Sequence, residues 1–299
     1  MSTTITAPPA TAPARRGGTS PRDSRRRKTL MWIATHSIAI ALAIMFIAPI
    51  FFVALTSLMT DDQALTSELW PQSWHFENFA DVFAKSKLLQ WTLNTFIYAG
   101  LATLFMLLSS VPVAYALARF RFRGRKATLL LVITWMMLPP QVVAVPVFII
   151  WARFDLTGSL WPLILPLLLG DVYSIFLLRQ FLVTIPRDYT DAAKVDGCSD
   201  FKTLIRVILP MARPAIAAVA LFSFFYCWND YYGPLMYTDP GDQGTWTLSL
   251  GLATFKAFHS VAWNLTMAAT LLVTAPVIVV FFFAQRVFIE GVTLTGVKG

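Results

Sequence analysis

The order of apolar and polar positions divides the chain into six long apolar stretches separated by polar segments. Crossing a bilayer as a helix takes about 20 residues. Runs of that length cover roughly 31–58, 91–118, 127–151, 160–183, 212–236 and 262–286. The fourth is the least regular. Pro162, Pro166 and the pair Gly170–Asp171 interrupt it, which predicts a broken or kinked helix there. Residues 1–29 are rich in Pro, Ala, Thr and Arg and too poor in apolar residues to build a core, so a disordered cytoplasmic tail is expected. The run that follows far exceeds the roughly 7–15 apolar residues of a secretory signal and reads as an uncleaved first span.

Composition agrees with spans. Of 299 residues, 57% are apolar and 13% charged. Soluble domains carry about 25% charge, and so few charges could not cover a soluble globule. The net charge of +8 points to a polyanionic partner only until it is located. Seven basic residues against Asp23 lie within 1–30, and Arg119, Arg121, Arg123, Arg125 and Lys126 form a second block. That is the pattern of the positive-inside rule, and it removes nucleic acid from consideration. The loop at 59–90 carries five acids against Lys85 and Lys87 and is placed outside, while 184–211, with Arg187, Lys194, Lys202 and Arg206, is placed inside. The expected fold is therefore an all-α polytopic membrane protein of six transmembrane helices with both termini cytoplasmic. It divides into the tail 1–29, a first helix with its external loop at 30–90, a five-helix core at 91–286 and a cytoplasmic tail at 287–299.

Six spans alone suit a channel, a carrier, an intramembrane enzyme or the membrane half of a pump. Two cysteines make no disulfide framework, and three scattered histidines show no metal-ligand spacing. No nucleophile elbow, zinc-protease helix or phosphate-binding loop occurs, so no catalytic residue is assigned. If the protein pumps, another chain hydrolyses ATP.

The segment 184–211 is too long for a mere connector. Pro186 can open a helix whose first turn holds Asp188 and Asp191, and Gly197 can end it in a left-handed cap. Ser199 can cap a second helix from Asp200 to Leu209, stopped by Pro210. Taken alone, this pattern fits a helix–turn–helix that receives a partner protein or an amphipathic helix lying on lipid.

The run Asp191–Ala192–Ala193–Lys194–Val195–Asp196–Gly197, followed after nine residues by Val207–Ile208–Leu209–Pro210, resembles the EAA loop of membrane subunits of ATP-binding-cassette importers. Asp191 stands for the usual Glu and Val207 for the usual Ile. The stretch Ala114–Phe120, the stretch Phe176–Phe181, the triplet Trp228–Asn229–Asp230 and the ending Gly291–Gly299 are similar to the carbohydrate-uptake permeases of the maltose-system type.

The resemblance implies the type I importer permease fold, placed in the plasma (inner) membrane of a prokaryote. It implies a heterodimer with a second homologous permease, two ATP-binding subunits and an extracytoplasmic solute-binding protein, all working in contact with membrane lipid. No cofactor is bound directly, since ATP sits on the partner subunit. A sugar or oligosaccharide is the implied cargo. Glycerol 3-phosphate, a polyol or an osmolyte is the alternative within the same machinery, and an ion-coupled carrier or channel a remote one. The residues implied in ATPase coupling are Asp191, Ala192, Ala193, Asp196, Gly197, Leu209 and Pro210. Candidates for the substrate pathway are Asp171, Asn229, Asp230 and Trp228. Asp171 is either a functional intramembrane charge or a cap beside Gly170. Asn229 and Asp230 meet solute or bond other helices, and Trp228 stacks on a sugar or anchors at the interface.

Overall fold

A computed structural model describes the backbone of residues 21–255 and 262–296, and the side chains of 28–255 and 262–283. Among the described residues there are helices and turns but no strand, only an isolated bridge between Gly158 and Thr238. Among the described residues four helices are long and apolar enough to cross a membrane, and counting each of two sharply bent pairs as one span raises the number to six. The chain falls into two units, Met1–Phe52 and Val53–Gly299.

The first unit is carried by helix α1 (Pro21–Thr56). It begins ahead of the expected boundary at residue 30, so 21–29 are helical. The expected tail therefore reaches no further than residues 1–20, which lie outside the described residues. Pro21 suits a first helical position, Asp23 sits at the positive end, and the Arg and Lys that follow are good helix formers. From residue 28 to 52 every residue is exposed, Trp32, Ile44 and Phe46 included. A helix apolar on all sides has no face to offer water, and lipid is its solvent.

The second unit is organised on α3 (Leu88–Arg119), which follows α2 (Glu77–Lys85) in the outer loop. Ala99, Ala102, Ala114 and Ala118 of α3 are buried, and such small residues let neighbouring helices approach closely. Helix α4 (Arg125–Met136) meets α5 (Pro140–Arg153) at a bend of 96°. The third span, rather than the fourth, thus has the sharpest break. Pro139 and Pro140 explain it, because proline cannot continue the backbone ladder and forces the residue before it out of helix. The fourth span, Trp161–Thr184, is interrupted as expected, by a 3₁₀ turn at Leu165–Leu169 and by Gly170 at φ +103°, after which α6 (Val172–Thr184) begins.

On the cytoplasmic side come α7 (Asp188–Val195) and α8 (Asp200–Met211). Helix α9 (Arg213–Asn229) leaves α8 at 81° and stops earlier than the expected 236, giving way at Asp230 to α10 (Tyr232–Tyr237). After α11 (Leu248–Thr254), helix α12 (Trp263–Gly296) runs on through most of the expected tail at 287–299, and residues 297–299 lie outside the described residues. Met106 and Tyr115 of α3, Leu178 and Leu182 of α6 and Leu204 and Ile208 of α8 form one buried cluster. Trp91, Trp228, Leu248 and Ala268 belong to a second.

Candidate functional site

The cytoplasmic segment is built from local instructions. Gly197 takes φ +77°, its N–H donates to the Lys194 carbonyl at 3.0 Å, and the Cys198 N–H donates to the Ala193 carbonyl at 2.9 Å. These two bonds constitute a Schellman cap, which needs a left-handed residue and therefore favours glycine. Ser199 then starts the next helix, its hydroxyl accepting from the Lys202 N–H at 3.4 Å. Pro210 does not stop that helix. It lacks an N–H and crowds the carbonyl one turn earlier, and the chain absorbs this with a π turn at Leu204–Ile208 before ending at Met211.

The segment is bedded in the protein. Leu204, Ile208 and Ala212 are buried against Ala114, Tyr115 and Ala118 of α3 and against Leu182 and Ile185. An Arg119 guanidinium N–H donates to the Ile185 carbonyl at 2.8 Å, tying the end of α3 to the start of the segment. Thr190 and Ala193 are buried, so Ala193, one of the residues implied in ATPase coupling, is not on the exposed surface of the segment. Asp191, Ala192, Asp196, Gly197 and Pro210 are exposed, and Leu209 packs partly against the core. Val195 is 88% and Phe201 68% exposed, and Ile205 also stands out. Phe201 and Ile205 were not singled out from sequence; two large apolar residues one turn apart in a charged segment were the available signal. Asp191 lines an open cleft of about 390 Å³ with Arg119, Arg187, Lys194 and Asp200.

The four residues expected along the pathway take four different places. Asp171 caps α6: its Oδ2 accepts from the Ser174 N–H at 2.7 Å, and its own N–H donates to Ser110 Oγ at 3.0 Å. It also lines a cavity of about 420 Å³ with Tyr98, Tyr173, Ser174, Ser223 and Tyr226. Asp230 joins helices. The Tyr98 hydroxyl donates to its Oδ2 at 2.9 Å, the Gly233 N–H to its Oδ1 at 3.0 Å, and the Ser249 hydroxyl to its carbonyl. Asn229 is exposed, its amide donating to the Phe225 carbonyl at 2.8 Å. Trp228 is buried at 3% exposure, stacked on Phe224 and edge-on to Phe96, and so is neither an interfacial anchor nor a wall of this cavity.

Residues 110–293 match the family described as binding-protein-dependent transport system inner membrane component. The chain belongs to this family. It is a multi-pass inner-membrane permease. This permease is 29% identical over 282 residues to the arabinooligosaccharides transport system permease protein AraQ of Halalkalibacterium halodurans, across 92% of its own chain and 100% of that one. It is 32% identical over 199 residues, 67% of this chain and 70% of the other, to the sn-glycerol-3-phosphate transport system permease protein UgpE of Pectobacterium atrosepticum. Its fold is similar to a chain of a bacterial ABC transporter involved in the import of the acidic polysaccharide alginate, with a TM-score of 0.74 at 21% identity, covering 87% of this chain and 97% of that one.

Proposed function

We propose that the permease moves a sugar or oligosaccharide inward, powered by ATP hydrolysed on two separate subunits that grip the 184–211 segment. A second, homologous permease completes the pathway, and an extracytoplasmic binding protein delivers the cargo. In this reading the chain binds no nucleotide itself. One observation carries it: α7 and α8 form an anchored projection whose outer surface holds Val195, Phe201 and Ile205. Apolar side chains that water would otherwise surround are what a partner's groove buries. Because α8 is packed into the same cluster as α3 and α6, a push on the projection moves the spans rather than bending a loop. Asp191, Ala192, Asp196 and Gly197 form the approach face, and Leu209 and Pro210 the joint to α9. The sugar cargo is supported by the motifs in the chain and by the similarity to AraQ, a permease of an arabinooligosaccharides transport system.

The test is Gly197→Asp. A Cβ at 197 would meet nothing within 4 Å, so within the chain it costs only the left-handed backbone, about 1–2 kcal/mol. Gly124, at φ +92° with equally open surroundings, serves as the control. In proteoliposomes carrying the whole importer, Gly197→Asp is expected to lower uptake per ATP hydrolysed, or ATPase co-purification, by about tenfold. Gly124→Asp is expected to change either by less than about twofold. Full, normally coupled uptake by Gly197→Asp would remove the docking assignment.

A further inference from the structure

Asp171 sits near the middle of the 24-residue span Trp161–Thr184, where charges are rare and costly. Capping alone does not account for it, because Ser, Thr or Asn caps a helix as well without a charge. What distinguishes the position is its cavity. Around Asp171 stand the phenol rings of Tyr173 and Tyr226 and the hydroxyls of Ser174 and Ser223. Tyr226 is 69% and Tyr173 48% exposed, so these rings are not locked into the core. Among the described residues, no Lys, Arg or His lines the cavity.

Ring faces suit the C–H surfaces of a sugar, hydroxyls suit its hydroxyls, and a carboxylate accepts two hydrogen bonds from neighbouring sugar hydroxyls. A second negative charge brought beside that carboxylate meets repulsion, and such a like-charge contact discriminates against the competitor that carries it. We propose that this cavity is a cargo subsite for an uncharged, hydroxyl-rich solute, and that Asp171 excludes anionic cargo. The proposal rests on the sugar-permease reading above and sharpens it, since the cargoes of the similar proteins include neutral arabinooligosaccharides as well as the anions sn-glycerol 3-phosphate and alginate.

The complete importer with its binding protein is reconstituted in proteoliposomes and offered neutral maltotriose and arabinotriose. Each is paired with the acid made by oxidising its reducing end. Asp171→Asn keeps the cap and removes the charge, while Asp171→Glu keeps the charge. The acid-to-neutral uptake ratio is expected to rise about tenfold in Asp171→Asn and to stay at the wild-type value in Asp171→Glu. One binding protein serves all three importers, so its own preference cancels. An unchanged ratio in Asp171→Asn overturns the subsite and leaves the sugar reading standing. No ATP-driven uptake of either sugar counts against that reading instead.

A second measurement needs no delivered cargo. Cys227 lines the same cavity, so the thiol is introduced by Ser223→Cys in a Cys198→Ser, Cys227→Ser background. A thiolate by itself favours a cationic methanethiosulfonate over an anionic one, so each rate is divided by that of a free small thiol in solution. The normalised preference for the cationic reagent is expected to be about tenfold and to vanish with Asp171→Asn. No normalised preference while Asp171 is present overturns the proposal.

Discussion

The turn at 196–199 and the turn at 229–233 each join two helices, yet different things decide them. At the first, Gly197 supplies the left-handed residue and Ser199 the cap, and both bonds of the Schellman cap close within six residues. At the second, Asp230 is held by Tyr98 and Ser249, far away in the chain. A Cβ at Gly233 would lie 2.5 Å from Asp230 Oδ2 and 2.7 Å from a Leu163 methyl, so any larger residue there makes one of these side chains shift. The cytoplasmic turn is local and points outward. The outer turn is tertiary and faces its own helices. A segment that projects from the bundle can be shaped by its own sequence, whereas one that closes the end of a bundle is shaped by what surrounds it.

The largest expected effect breaks the comparison at its tertiary end. Trp228 is buried between Phe224 and Phe96, so Trp228→Ala removes a large side chain and leaves a void. A loss of about 3 kcal/mol is expected, read as a lower melting temperature of the detergent-solubilised importer. If melting is unchanged while uptake falls, Trp228 belongs to the cargo route after all and the contrast collapses.

That contrast also explains what could be read in advance. The all-α spans, their sides and the cytoplasmic helix pair follow from apolar run length, loop charge and turn residues, all of which act within a few positions. The sharp bend in the third span is equally local, written in Pro139–Pro140, but the fourth span, where two prolines are followed by the pair Gly170–Asp171, drew the expectation instead. The roles of Asp230 and Trp228 were not readable. An intramembrane carboxylate looks alike whether it meets solute or a tyrosine 132 positions away, and only the packed helices decide. Asp171 had two readings, and it both caps α6 and lines a cavity. Ala193 was misplaced because a motif names a residue but not the side of the helix it faces.

At the local end the expected effects are smaller. Ser199→Ala removes one cap from a helix otherwise held by Leu204 and Ile208. It is expected to cost about 1 kcal/mol, measured as faster amide exchange confined to residues 200–204. Faster exchange spreading into α3 would show that the cap governs the packing of α8, and the segment would then be less local than its bonds suggest.

The smallest effect concerns Lys194 and Asp200, whose charged atoms lie 3.6 Å apart with side chains 57% and 51% exposed. Solvent and salt screen such a pair, and ordering two long side chains offsets most of the attraction. In a double-mutant cycle of Lys194→Gln and Asp200→Asn, a coupling under about 0.5 kcal/mol in melting stability is expected. The same two residues line the cleft with Arg119, Arg187 and Asp191. A small coupling means that these charges stand apart in water and are available to a docking subunit. A coupling well above that value would mean that they already satisfy one another, leaving docking to Val195, Phe201 and Ile205 and to the approach face of Asp191, Ala192, Asp196 and Gly197.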